Sequence, residues 1–410
     1  MKILISNYRY FISGGPEKYM FNITNKLKEN GHNVIPFSIH NDKNQPTEYA
    51  KYFVEPIGGR DKVYFREYQK DPKTIAQLIG RSFYSFKVKA AIEKEILNEK
   101  PDVVFILHFI NKLSPSVIDG AKKAKKRVVV RLSDYFMLCP RFDFLADNRI
   151  CEECLDKSLF NAIKKRCVQN SLPASIIRVL SMYFHSLIRI YNKVDAFVCP
   201  SAFLAKKLIQ AGFSAEKIYH VPTFIDTGKI QPQYNGDYIL YYGRLTEEKG
   251  VVSLLKAFRK LPRDFSLKIV GEYQCDYGIE LKNYVEQNNM ANVEFLGFKS
   301  GNELASIITN AKTVVVPSIW YDNMPNVILE SFAHGKPVIA SNIGSLPELV
   351  EDGVNGYLFE PNNSEELARK IQMMNNEARV AEMGKKAREI VERQYNPTLH
   401  YEKLMRILEG

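Results

Sequence analysis

No uninterrupted apolar stretch in the 410 residues approaches the length of about 20 that a bilayer-spanning helix needs, which argues against an integral membrane protein. The opening MKILISNYRYF carries only a short apolar run before polar residues appear, far below a signal-peptide core, so a cytoplasmic location is expected. No low-complexity run interrupts the chain, and 45% hydrophobic residues suit a protein that is globular throughout. No D-x-D pattern occurs, so there is no obvious carboxylate pair for a catalytic divalent metal; G-x-G-x-x-G is absent too. The formal net charge is +11, yet no helix-turn-helix, RRM, KH or zinc-finger pattern accompanies it, and nucleic acid is not an expected partner.

What is present reads as α/β. The length suggests two domains of roughly 200 residues. Strand signals at 2–6, 33–39, 102–108, 127–132 and 196–201, then at 238–244, 266–271, 293–297, 313–318 and 337–341, alternate with helical stretches. Parallel sheets covered by helices follow, as two doubly wound, Rossmann-like domains. The Pro-, Gly- and polar-rich run VPTFIDTGKIQPQYNG places a boundary within 221–236, giving domains of 1–222 and 223–394. Tyr395-Asn396-Pro397 interrupts the helical pattern before a last helix within 395–410. Charge divides the same way. Residues 1–222 carry 36 Lys and Arg against 21 Asp and Glu, whereas residues 223–410 carry 21 against 25. The basic half points to an anionic surface or acceptor.

Open parallel sheets bind ligands beyond the carboxyl ends of their strands, and two facing domains create a cleft there. Pro317 to Pro347 places Asp322 and Glu330 eight residues apart around a helix start, with Pro325 suited to the first helical position. The two carboxylates can then address separate parts of one elongated ligand. Amides at that start, from Asn323, Met324 and Asn326, suit a phosphate. Arg244 and Lys249 follow a buried Tyr-Tyr-Gly strand end, and both cations can reach one diphosphate, Arg as a planar fork and Lys as a point charge. Gly14 and Gly15 lie between a strand and a helix, where backbone can approach phosphate or sugar. His108 ends a strand, and Asp134 follows the next one. His32 reads as a helix-end residue.

These motifs resemble the acidic-x7-acidic signature of retaining GT-B glycosyltransferases of family 4. The likeness includes Tyr241-Tyr242-Gly243-Arg244-Leu245 with Lys249-Gly250, Gly14-Gly15-Pro16-Glu17-Lys18, His108, and Ala333-His334-Gly335-Lys336-Pro337-Val338-Ile339. Asp322 stands where the family usually has Glu, and Pro325 where Gly is common. The resemblance implies an acceptor-binding N-terminal domain, a nucleotide-sugar-binding C-terminal domain, and a final helix that crosses back to the first domain. It further implies that Glu330 binds the ribose hydroxyls, that Asp322 binds the sugar, and that His108 helps orient it. Arg244 and Lys249 then stabilise the departing diphosphate without a catalytic metal. The implied donor is a UDP-sugar, or a GDP-sugar, and the transferred group a hexose or N-acetylhexosamine. The acceptor is a glycan or polyprenyl-diphosphate-linked saccharide of cell-surface polysaccharide synthesis. A catalytically weak GT-B scaffold or sugar-binding protein is the alternative.

Two further features fall outside that scheme. Cys139, Cys151, Cys154 and Cys167 lie within a Cys-rich insertion at 139–167, whose C-x2-C is open to a structural zinc site, free thiols or a redox role. The apolar and aromatic stretch 171–194 is interrupted by Arg178, His185 and Arg189, and 77–94 is a second basic, aromatic run. Each fits either a helix lying on an anionic membrane surface, at the inner face of the cell membrane, or a partly buried helix on the N-terminal sheet.

Overall fold

The computed structural model describes residues 1–62, 67, 68 and 71–410. The first half runs β1 (Lys2–Asn7), α1 (Gly15–Glu29), β2 (Asn33–Phe37), α2 (Pro72–Phe83), α3 (Phe86–Glu99), β3 (Val103–His108), α4 (Ser116–Lys123), β4 (Arg127–Arg131), β5 (Leu145–Ala146), β6 (Arg149–Ile150), α5 (Glu153–Asp156), α6 (Phe160–Lys164), α7 (Leu172–Leu187), β7 (Ala196–Cys199), α8 (Ala202–Gln210) and β8 (Ile218–His220). The second runs β9 (Tyr238–Tyr242), α9 (Val251–Phe258), β10 (Leu267–Val270), α10 (Asp276–Gln287), β11 (Val293–Gly297), α11 (Gly301–Thr309), β12 (Ala311–Val316), α12 (Asn326–Ala333), β13 (Val338–Ser341), α13 (Leu346–Leu349), β14 (Gly356–Phe359), α14 (Ser364–Met373), α15 (Glu377–Gln394) and α16 (Pro397–Glu409).

Two parallel sheets result, ordered β2-β1-β3-β4-β7-β8 and β11-β10-β9-β12-β13-β14, with β5 and β6 as a small antiparallel hairpin in the insertion. Their central strands are nearly continuous apolar runs because helices cover both faces: all of Val103 to Leu107 and all of Tyr238 to Tyr242 are buried. In the first sheet the strand order reverses at β1 and β3, and in the second at β9 and β12. Those switch points are where an open α/β sheet leaves a crevice beyond its strand ends. Gly14-Gly15 and His108 sit at one; Arg244, Lys249 and the Pro317–Pro325 loop sit at the other.

The sequence reading misses the edge strands β8 and β14. β8 is three residues long and mostly exposed, so it carries no apolar run, and β14 is a four-residue strand that opens on Gly356.

After the break at Tyr395 the last helix returns to the first sheet. Asn396 caps α16 by accepting a hydrogen bond from the Leu399 amide at 2.9 Å, with Pro397 in the first turn. The stripe His400, Leu404, Ile407 and Leu408 is buried against β1 and β3 residues such as Ile3, Val103 and Phe105. His400 Nε2 lies 3.0 Å from the Tyr19 hydroxyl and Nδ1 2.7 Å from the Pro222 carbonyl. Leu404→Ala should destabilise the protein by about 2–5 kcal/mol, read as a lower denaturant midpoint, because Leu404 is fully buried. A change below about 1 kcal/mol would show that α16 is not part of the N-terminal core.

Candidate active site

The β9–α9 turn and the β12–α12 loop meet over the second sheet. Gly250 makes that approach possible. Its φ is +68°, and a Cβ there would lie 1.9 Å from the Pro317 carbonyl oxygen, so only glycine lets the turn close on the end of β12. The Ile319 amide donates to the Glu248 carbonyl at 3.0 Å, tying the two loops. Lys249 is thereby brought against Asp322, donating to Oδ1 at 2.9 Å and Oδ2 at 2.8 Å. Asp322 is only 6% exposed. The Ser318 hydroxyl donates to its Oδ2 at 2.6 Å, and its carbonyl accepts from Ser345 Oγ at 2.6 Å. The Trp320 ring lies 5.2 Å from the Lys249 ammonium. A buried carboxylate here is neutralised by one cation and one hydroxyl, and its geometry is fixed on every side.

Arg244 is placed differently. Its side chain is 67% exposed and lies 3.4 Å from Glu248, an exposed contact of small energetic weight, so it can swing toward a ligand at low cost. Glu330 is the fifth residue of α12, and Tyr242 anchors that helix to β9 by donating to the Val327 carbonyl at 2.8 Å. Its carboxylate is ion-paired to Lys18 of α1, across the cleft. A cavity of about 340 Å³ opens beside this pair, lined by Lys18, Asn22, Phe224, Leu329, Glu330 and His334.

From the first domain, Gly15 approaches Asn326 so closely that a Cβ would meet the Asn326 Nδ2 at 3.4 Å. Neither Gly14 nor Gly15 has left-handed backbone, so their contribution is space. A smaller cavity of about 90 Å³ there is lined by Gly15, Arg131, Ser133, Asn323, Met324 and Asn326. His108 Nε2 lies 3.4 Å from Asp134 Oδ2, and the Tyr8 ring stands edge-on to the imidazole at 4.9 Å. His108 Nδ1 is buried without a hydrogen-bond partner among the described residues.

Several expectations change. Pro325 is the N-cap in extended conformation and α12 begins at Asn326, because its ψ of 116° is not helical. Asn323 turns to the first domain: its Oδ1 accepts from Ser201 Oγ at 2.7 Å and its Nδ2 faces the Leu132 carbonyl at 3.5 Å. The zinc expectation is not supported. Cys139, Cys151, Cys154 and Cys167 are all free, and among the described residues no group of three or more His, Cys, Asp or Glu is placed to hold a metal ion. Burial, then the neighbouring thiols, push Cys154 up to about 12. A cavity of about 470 Å³ lies away from the cleft, lined by residues such as Phe136, Leu155, Met182, His185 and Phe213.

Residues to which the sequence reading gave no role complete the site. Lys18 reaches Glu330 from an ordinary amphipathic helix, and Ser318 and Trp320 surround the Lys249–Asp322 pair. Glu348 accepts from the Ala202 and Phe203 amides at 2.8 and 2.6 Å, capping α8 from the opposite domain.

Residues 226–390 match the family described as glycosyl transferases group 1. That match lies within the C-terminal domain. The chain is 39% identical over 160 residues to an uncharacterized glycosyltransferase of Methanocaldococcus jannaschii, covering 38% of this chain and 44% of that protein. It is 28% identical over 236 residues to the amylovoran biosynthesis glycosyltransferase AmsK of Erwinia amylovora, covering 54% of this chain and 58% of that one. These matches therefore span about half the length of the curated relatives. The Anabaena protein HepE, solved in complex with UDP-glucose, superposes with a TM-score of 0.67 at 19% identity, over 100% of this chain and 99% of that one. The C-terminal domain and its basic partner thus form the GT-B arrangement of two facing Rossmann-like domains.

Proposed function

We propose that the protein transfers a hexose or N-acetylhexosamine from a nucleoside diphosphate sugar, UDP-linked in preference to GDP-linked, to a glycan or polyprenyl-diphosphate-linked acceptor in cell-surface polysaccharide synthesis, with retention at the anomeric carbon. One observation supports this reading: Lys18 of α1 is ion-paired to Glu330 of α12 and Gly15 lies against Asn326, so the loop ends at the two switch points meet across one cleft.

Glu330 gives up Lys18 to accept the ribose hydroxyls. Arg244 and Lys249 turn to the diphosphate, where charge grows as the bond from the anomeric carbon to the phosphate oxygen breaks. Lys249 leaves the Asp322 carboxylate free to accept from a sugar hydroxyl. The acceptor oxygen bonds to the anomeric carbon on the face the diphosphate leaves, and its proton passes to the departing phosphate oxygen. His108, held by Asp134, orients the sugar. With no D-x-D pattern in the sequence, the cations and the amides at the start of α12 supply the positive field, and brief chelator treatment should leave turnover unchanged.

Glu330→Ala should weaken binding of free UDP and of the UDP-sugar together, each by about tenfold, because the ribose is common to both and a charge-assisted hydrogen bond contributes about 1.5–3 kcal/mol. Asp322→Ala should spare UDP and impair only the intact donor. Calorimetric titration with both ligands separates these outcomes. Equal binding of both ligands by wild type and both variants would end the assignment.

A further inference from the structure

Three packed helices of the N-terminal domain carry exposed apolar side chains with nothing among the described residues against them. On α7, Leu172, Ile176, Leu180, Tyr183 and Leu187 are exposed, and their spacing of four, four, three and four residues makes them one stripe. The rest of that helix is seated in the domain through Ser175, Arg178, Val179 and His185. α2 packs beside it and adds exposed Ile75 and Ile79. α6 also packs on it and adds exposed Phe160, whose ring centre is 5.7 Å from that of Tyr183. Single exposed leucines are ordinary; a contiguous row across packed helices marks an interaction surface.

Charge on these segments is one-sided. Residues 72–92 and 157–194 contain no Asp or Glu and 11 Lys or Arg. Lys165 and Lys193 are ion-paired to Glu153 and Asp119, and Arg178 is buried. Lys73, Lys157, Lys164, Arg166 and Arg189 are exposed and form no ion pair among the described residues. An aliphatic stripe accompanied by unpaired cations and no carboxylate is complementary to phosphate headgroups above acyl chains, where lysine and arginine stems also extend along apolar surface. No helix among the described residues is long and apolar enough to cross a membrane. We propose that the face formed by α2, α6 and α7 binds the surface of an anionic lipid bilayer, with α7 lying parallel to it.

This surface is separate from the cleft, so it can be tested without touching the donor site. The full chain is floated with vesicles of phosphatidylcholine alone and of phosphatidylcholine mixed with phosphatidylglycerol. Binding is expected to the mixed vesicles at low salt and to weaken as salt rises. The triple variant Ile176→Ser, Leu180→Ser, Leu187→Ser should lose at least about tenfold in vesicle affinity, since each buried aliphatic group contributes to partitioning. Lys164→Gln, Arg166→Gln and Arg189→Gln should each lose about fivefold. UDP titration and thermal midpoint should be unchanged in all of them, which distinguishes a lost surface from a lost fold. Three results would overturn the proposal: no flotation of wild type with anionic vesicles at low salt; variants that float like wild type; or a wild-type dimer that ignores vesicles and dissociates in the triple serine variant. Failure of the wild type to bind any nucleotide would instead overturn the transferase reading and leave this one standing.

Discussion

Replacing Lys249 with alanine is expected to lower turnover by about 10²–10³-fold, measured as UDP released from donor in the presence of acceptor, with a much smaller change in donor affinity. The geometry explains why the loss falls on turnover. In the free site Lys249 holds both oxygens of Asp322 at 2.8 and 2.9 Å, so it must exchange that carboxylate for the diphosphate, which offsets much of what it contributes to donor binding. Its charge contributes most when the leaving oxygen becomes fully negative. The same variant should also destabilise the fold, because Asp322 is 6% exposed and would keep only the Ser318 hydroxyl as a side-chain partner. Removing one member of a buried pair costs up to about 3–5 kcal/mol. Lys249→Met combined with Asp322→Asn removes both charges, so it should restore the thermal midpoint while leaving turnover low. Recovery of turnover in that double variant would show that the pair serves structure alone.

The second large effect concerns acid. His400 is pushed down to about 3 by burial, and His185 down to about 4 for the same reason, its Nε2 2.8 Å from the Phe83 carbonyl. In the unfolded chain both titrate near 6.5. Between those values and 6.5 the unfolded state binds more protons, so stability is full above about 6.5 and falls as pH drops toward the folded values. At pH 5 each histidine should cost about 2 kcal/mol, or about 4 kcal/mol together. Denaturant titrations at pH 7.5 and pH 5 check this. His400→Gln should be less stable at neutral pH yet lose less stability than wild type on going to pH 5. The rest of the change comes from His185, from His334, which burial also pushes down to about 4, and from Glu95, which burial pushes up to about 9 and which acts in the opposite sense. An unchanged pH slope in that variant would mean that the loss comes from other groups.

The parallel sheets were legible because their central strands are covered on both faces, which leaves runs such as VVFIL and YILYY without polar alternation. The β12–α12 loop was legible for a different reason: a proline before a helix and two carboxylates eight residues apart are local features. Lys249 was legible as a cation near phosphate, but its grip on Asp322 was not, since it depends on Gly250 letting one loop rest on another. Lys18 belongs to the motif that opens at Gly14, but its pairing with Glu330, like that of Glu348 with α8, carries no local mark. Each sits in an ordinary helical stretch and acquires a partner only once two domains face each other, which pattern along a single segment does not encode. The cysteines show the converse. Their spacing is that of a metal knuckle, but spacing does not determine whether four sulfur atoms converge as thiolates on one point.

The return of α16 has a consequence for how the protein is made. The first sheet is complete in chain order once β8 emerges from the ribosome, yet the face formed by Ile3, Val103 and Phe105 still lacks Leu404, Ile407 and Leu408. About 190 further residues must be synthesised before those arrive, and at about 5–20 residues per second that interval is roughly 10–40 s. During it the part of that face not covered by Tyr19, Met20, Ile23 and Leu27 of α1 stays open, so the N-terminal domain cannot finish folding first, and nascent chains stalled before residue 404 should be bound by chaperones.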